Sequence, residues 1–360
     1  SNAVLGGSAS GNYQLASTGN TYGSLVIAKA YITYTGSVTN GTYNGNTQTS
    51  SQPYVLSGVL SADASNVTVS VTRGNGINAN TYLDSNAVLG GSASGNYQLA
   101  STGNTYGSLV IAKAPLNIVI SKFYNGSTAF DNSATYTISG TRYNSDALPT
   151  ITGGSATTSS ANAATYSSFV TNSLVLSNSN YTLVGGTVSA SINQVSASFT
   201  ATSGNWSTNS NWSSGIAPIA SNYSNFSSIT INASKTAIYD SGVGSLNVPI
   251  VNNGTINFAP SASTIYNIGS NISGSGSIIQ SGSGKTILSG ANSYQGGTTI
   301  SSGILSLGSA SALGTIGNII FSGGVLQYSS SNTNDYSTRF STSSNQSYSV
   351  DTLSLIHISE

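Results

Sequence analysis

The segment SNAVLGGSASGNYQLASTGNTYGSLVIAKA fills residues 1–30 and returns letter for letter at residues 85–114. Exact duplication of this length points to an array of repeated units, each built on the same kind of core. Other marks keep the same period. Asn-Tyr-x-Leu begins at Asn12, Asn96 and Asn180, 84 residues apart each time, and NANTY at 78–82 returns as NAATY at 162–166. Tyr43-Asn44-Gly45 returns as Tyr124-Asn125-Gly126 after 81 residues, so the loops between these marks differ in length. The repeat units are therefore 31–114 and 115–194, with 1–30 the tail of a truncated unit. Because the sequence opens inside a unit, it reads as an internal fragment of a longer repetitive protein.

Composition narrows the possibilities further. Charged residues make up 4% of the chain, against about 25% in an average soluble domain. Disorder by composition needs low hydrophobicity together with high net charge. Here the net charge is +0 and 38% of the residues are hydrophobic, so a packed structure is expected. Without clustered Lys and Arg there is no basis for binding nucleic acid. No run of 18 apolar residues occurs, so nothing spans a bilayer as a helix. Cysteine is absent, which leaves burial and backbone pairing to stabilise the fold.

The alternation of side chains is that of strands. Val67, Val69 and Val71 alternate with Thr68, Ser70 and Thr72, which sets three valines on one face. Asn-Gly pairs at 40–41, 44–45 and 125–126 supply the positive φ of tight turns. Sandwich and β-grasp-like arrangements both satisfy the repeats. After Gln194 the pattern changes. Residues 195–240 form a linker and cap that holds Trp206 and Trp212, and 241–352 carry short apolar pairs such as Ile256/Phe258 and Leu305/Leu307 between Gly and Asn turns. That spacing suits a β-solenoid, with Asn252-Asn253-Gly254 as a corner where amides stack in a ladder.

Catalytic provisions are thin. The general bases reduce to Asp63, Asp84, Asp131, Asp146, Asp240, Asp335 and Asp351 once the tail 353–360 is set aside. That tail, LSLIHISE, resembles the translation of a transposon-end sequencing adapter, and it holds both His357 and Glu360. No Cys/His ligand set and no Asp-x-Asp-x-Asp-Gly loop is present, so neither a metal nor a cofactor is expected. SGSGKT at 281–286 fails as a phosphate loop, because Ile279 stands where glycine is needed and Lys285 lies in a strand pattern. The chain is not expected to be an enzyme. The one candidate ligand platform is Trp206 with Trp212, which share a face if they lie in one extended strand. The alternative for the pair is a hydrophobic plug over the solenoid end.

Two resemblances follow from these residues. Units 31–114 and 115–194 are similar to the MBG and YDG repeats of bacterial surface adhesins, through Tyr-Asn-Gly-x-Thr, Asn-Ala-x-Thr-Tyr and Asn-Tyr-x-Leu. Asn44 and Asn125 stand where the YDG name calls for Asp. Residues 284–308, GKTILSGANSYQGGTTISSGILSLG, resemble the autotransporter-associated β-strand repeat. The resemblances imply an all-β chain of tandem small domains followed by a right-handed parallel β-helix. They further imply an extracellular passenger held at the outer membrane of a Gram-negative bacterium, with a translocator barrel elsewhere in the full-length protein. Its role would be a repetitive stalk or an adhesin with host or neighbouring-cell glycans or proteins as partners, and more remotely a β-helical polysaccharide-cleaving enzyme.

Overall fold

The computed structural model describes Val4, Gln14, Leu15, Thr18, Thr21, residues 25–344 and residues 346–352. The tail 353–360 and most of the first copy of the duplicated segment lie outside the described residues. The described chain is all-β, with 41% strand and no helix of seven or more residues. It divides into two compact units, the first comprising residues 1–114, 142–146 and 179–181, the second the remainder. The second repeat, apart from those two short segments, and the region after Gln194 thus belong to one unit.

Unit 1 is organised around parallel pairs. Ala30–Thr35 lies between Val55–Ser57, antiparallel, and Tyr97–Leu99, parallel. Ser108–Ala112 lies between Val38–Thr42, parallel, and Thr81–Leu83, antiparallel. Ile32, Val67 and Tyr97 form a buried cluster with Leu56, Val59 and Leu89 against it. Thr68–Thr72 alternates as its sequence requires, with Val69 and Val71 half-buried and the residues between them exposed.

The second repeat uses the same plan in unit 2. Its sheet runs Thr135–Ser139, Asn117–Phe123, Val188–Asn193, Ala164–Tyr166, with a parallel central pair and antiparallel edges. The register is conserved between repeats. Ser108 pairs with Val38 and Ser189 with Val119; Leu109 pairs with Tyr82 and Ala190 with Tyr166. The 81- and 84-residue offsets of the sequence are therefore both correct, one for each side of the central strand.

Beyond Val195 the strands of the described residues pair in parallel, in three sheets that the chain visits in turn, with antiparallel bridges only at Phe199–Trp212 and Ser329–Asn332. One runs Val195–Phe199, Phe226–Ile231, Ile250–Asn252, Ile272–Ser273. A second begins at Ser203–Asn205 and Thr236–Tyr239, then continues Thr255–Phe258, Ser277–Gln280, Thr298–Ile300, Ile319–Phe321. The third runs Ile265–Ile268, Lys285–Leu288, Ile304–Leu307, Val325–Gln327, Val350–Asp351. In-register pairing stacks like positions into columns. Ile256, Ile278, Thr298 and Ile319 make one column and Phe258, Gln280, Ile300 and Phe321 the next, all buried.

Two turn expectations need correction. Gly45 and Gly126 do adopt positive φ, 76° and 74°, but Asn40-Gly41 lies inside the strand Val38–Thr42. Gly41 does not adopt positive φ, and a Cβ there would meet only the flexible Gln48 carboxamide. The corner at Asn252-Asn253-Gly254 carries no amide-to-amide hydrogen bond. Asn252 Nδ2 donates to the Ser277 carbonyl at 2.9 Å, and Asn253 Oδ1 accepts the Ser275 N–H at 3.2 Å. Backbone partners win because the next turn presents its unpaired peptide groups directly over the corner.

Column packing sets a graded sensitivity along one sheet. Leu305 is fully buried, whereas Ile265 is 57% exposed. Leu305→Ala is expected to cost about 2–5 kcal/mol and Ile265→Ala well under 1 kcal/mol, read as the shift in urea midpoint. Equal effects would contradict the column description.

Candidate functional site

The two tryptophans do not lie in one strand. The chain leaves Ser203–Asn205, passes through the 3-10 turn Asn209–Asn211 and brings Trp212 back against Trp206. The rings meet edge to face, 4.8 Å between centroids. Tyr239 packs on Trp206 at 5.4 Å and Phe199 on Trp212 at 5.2 Å. Trp206 is 0% and Trp212 3% exposed. Each indole N–H is satisfied within the cluster, Trp206 donating to the Pro218 carbonyl at 2.7 Å and Trp212 to the Trp206 carbonyl at 2.6 Å. A sugar stacks on an accessible ring face, and neither ring presents one. Local geometry overrides the even spacing, since the shared-face argument holds only for an unbroken strand.

The carboxylates are similarly committed. Asp63 accepts from the Tyr97 hydroxyl at 2.7 Å, and Asp146 from the hydroxyls of Tyr43 and Tyr181 at 2.9 and 2.8 Å. Asp131 and Asp335 each accept the backbone N–H two residues on, from Ser133 and Ser337. Asp240 accepts from the backbone N–H groups of Ser207 and Gly242, and Asp351 from the Gln327 amide. No group of three metal-ligating side chains occurs among the described residues. Lys285 opens the strand Lys285–Leu288 and the next element is the strand Thr298–Ile300, so SGSGKT lacks the helix that a phosphate loop opens.

A dense polar cluster around Asp84 has no motif in the sequence. Its carboxylate is 2% exposed and accepts from Ser50, from Tyr54 at 2.8 Å and from the Gly74 N–H at 2.7 Å. Arg73 forms an ion pair with it at 3.3 Å and lays its guanidinium over the Tyr54 ring. Burial is the largest influence and pushes the Asp84 carboxyl up, but the hydrogen bonds and Arg73 together outweigh it and hold the group below its ordinary value. The counterpart 84 residues on is Ser168, so the second repeat lacks this cluster. The partners lie 34, 30 and 11 residues away in sequence, which leaves no local signature to read. The cluster ties three loops of unit 1 together and offers no open face for a reacting group.

Comparison with known proteins gives one positive finding. Residues 278–307 match the family described as passenger-associated-transport-repeat. The matched segment holds the strands Lys285–Leu288, Thr298–Ile300 and Ile304–Leu307, together with nearly all of Ser277–Gln280. No curated protein and no solved structure matches the chain.

Two outcomes are expected. Trp206→Ala lowers stability by about 3–5 kcal/mol, and the wild-type tryptophan emission is blue-shifted and poorly quenched by acrylamide. For Asp84, a depressed folded value means that its stabilisation is complete above the ordinary carboxylate value, about 3.9, and is lost as pH falls through the lower folded value. Unit 1 should therefore lose the Asp84 contribution only below about pH 3.9, and Asp84→Asn should flatten that part of the acid titration followed by tyrosine absorbance.

Proposed function

We propose that this chain is a structural segment of an exported passenger from the surface of a Gram-negative bacterium, and that its work is extension rather than catalysis. The observation that carries the reading is the run of in-register parallel columns from Ser196 to Asp351, within which residues 278–307 match a passenger repeat family. A chain of this kind forms a right-handed parallel β-helix, each turn templating the next along a single axis. Repetition of the unit 31–114, down to an unchanged closing segment, fits a spacer whose length matters more than its surface. The similarity to MBG and YDG repeats agrees with a surface location, and the first-to-last parallel central pair favours the β-grasp-like arrangement over a sandwich. The commitment of all seven Asp residues to hydrogen bonds within the fold agrees with a non-catalytic role.

The test places residues 1–352 between a secretion signal and an outer-membrane β-barrel translocator in a Gram-negative host. Protease added to intact cells is expected to remove the chain, and the purified chain is expected to bind neither a glycan array nor cultured host cells. Retention inside the outer membrane contradicts the passenger reading. Saturable glycan or cell binding moves the assignment from spacer to adhesin.

A further inference from the structure

Unit 1 contains a polar and aromatic contact set that unit 2 repeats with different residues. Asn180 Oδ1 accepts the Ala79 N–H at 2.8 Å, and its Nδ2 donates to Asn78 Oδ1 at 3.0 Å. In unit 2, Asn225 Oδ1 accepts the Ala163 N–H at 2.6 Å, and its Nδ2 donates to Asn162 Oδ1 at 3.2 Å. The residue after each Asn is aromatic and meets the tyrosine of a Tyr-Asn-Gly turn edge on. Tyr181 lies 5.4 Å from Tyr43, and Phe226 lies 5.7 Å from Tyr124. Both contact sets thus join the donor turns of a repeat, Tyr-Asn-Gly and Asn-Ala-x-Thr-Tyr, to an Asn-aromatic acceptor further along the chain. Asn225-Phe226 was hidden in the sequence because Phe replaces Tyr and no Leu follows at the expected place.

The same acceptor exists once more. Tyr97 follows Asn96, and Ala30 pairs with Tyr97 as the Ala114 N–H bonds to the Asn180 carbonyl. The Tyr97 hydroxyl donates to Asp63 at 2.7 Å and accepts the Leu60 N–H at 3.3 Å. The Tyr181 hydroxyl donates to Asp146 at 2.8 Å and accepts the Tyr143 N–H at 3.0 Å. The difference is on the donor side. Asn180 and Asn225 are buried, but Asn96 is exposed and its side chain has no hydrogen bond among the described residues. The Asp146 carboxylate accepts a second hydroxyl, from Tyr43, whereas the Asp63 carboxylate accepts only the Tyr97 hydroxyl among the described residues. Leu60, in the position of Tyr143, is 66% exposed, and Tyr143 packs on Tyr43 at 5.8 Å. A cleft of about 480 Å³ is lined by Leu60, Asp63, Asn96 and Tyr97 together with residues 27–30 of the segment that leads into Tyr31.

We propose that this face is the acceptor half of a third joint, and that its occupant is the donor end of a further copy of the 31–114 unit set ahead of Tyr31. The occupant is identified by chemistry. Its Asn-Ala-Asn turn offers the N–H and carboxamide oxygen that Asn96 lacks, and its Tyr-Asn-Gly tyrosine offers a hydroxyl to Asp63 and an edge to the exposed Leu60. The segment that leads into Tyr31 already matches the close of such a unit, since residues 1–30 equal 85–114.

The experiment extends the array by inserting a copy of residues 31–114 between Ala30 and Tyr31, which preserves the dipeptide at every junction. An exposed Ser92→Thr marker in the added copy separates its peptides by mass. Hydrogen exchange across residues 92–97 of the original unit is expected to slow about tenfold relative to the unextended chain, the yield of roughly one buried carboxamide pairing. The added copy's own 92–97 segment then exchanges as fast as that of the unextended chain. Asn96→Ala in the original unit abolishes the protection in the extended chain and leaves the unextended chain unchanged in urea midpoint, while Asn180→Ala destabilises both. Unchanged exchange on extension overturns the proposal. So does an added copy whose 108–112 strand gains no protection, because an identical sequence with its donor turns engaged should fold as the original does. Surface display of the passenger has no bearing on this result, so the two readings fail separately.

Discussion

The parallel pairing of each strand with its equivalent one turn later is the constraint on which the larger unit depends. Parallel hydrogen bonding fixes register to the residue, and register decides which side chains stack. A slip of one residue would carry Ile256, Ile278 and Ile319 from the core to the surface and expose three isoleucines at once. The chain has no cysteine, and the one ion pair among the described residues lies in the smaller unit, so neither can correct such an error here. The columns must be continuous for any of them to be stable.

Continuity explains the polar residues inside them. Gln280 is fully buried between Phe258 and Ile300, where an unpaired amide would be costly. Its Nε2 donates to the Gly282 carbonyl at 2.9 Å and its Oε1 accepts the Thr286 hydroxyl at 2.6 Å. The amide therefore closes the corner between two sheets from inside. Asn292 does the equivalent one turn on, accepting the Ile272 N–H and donating to the Ala312 carbonyl. Side-chain amides substitute for the backbone partners that a corner removes.

Much of the architecture was legible in the sequence, for physical reasons that differ by region. The repeat period and the strand alternation survive in single letters because a half-buried strand demands period-two patterning. The 81- and 84-residue offsets look inconsistent on the page and become one register in the sheet. The Asp84 cluster and the Asn225-Phe226 contact were not legible. Both depend on residues distant in sequence, and Phe226 keeps the ring of its counterpart Tyr181 while losing the hydroxyl that would have marked it.

The duplicated segment separates the two kinds of information most cleanly. Sequence alone determined that the chain is β and that it repeats residues 1–30 unchanged at 85–114. It did not determine whether the apolar residues of each copy are buried. Leu109 and Ile111 are buried at 1% and 2%, between Val38–Thr42 and Thr81–Leu83, while the identical Leu25 and Ile27 are 86% and 83% exposed. Trp206 and Trp212 make the same point, since even spacing set them on one face and a three-residue turn folded them together instead. A strand's pattern states which face is apolar. Only the presence of a partner strand at the right register decides whether that face is buried, because the hydrogen bonds and the apolar contacts that fix it belong to the neighbour.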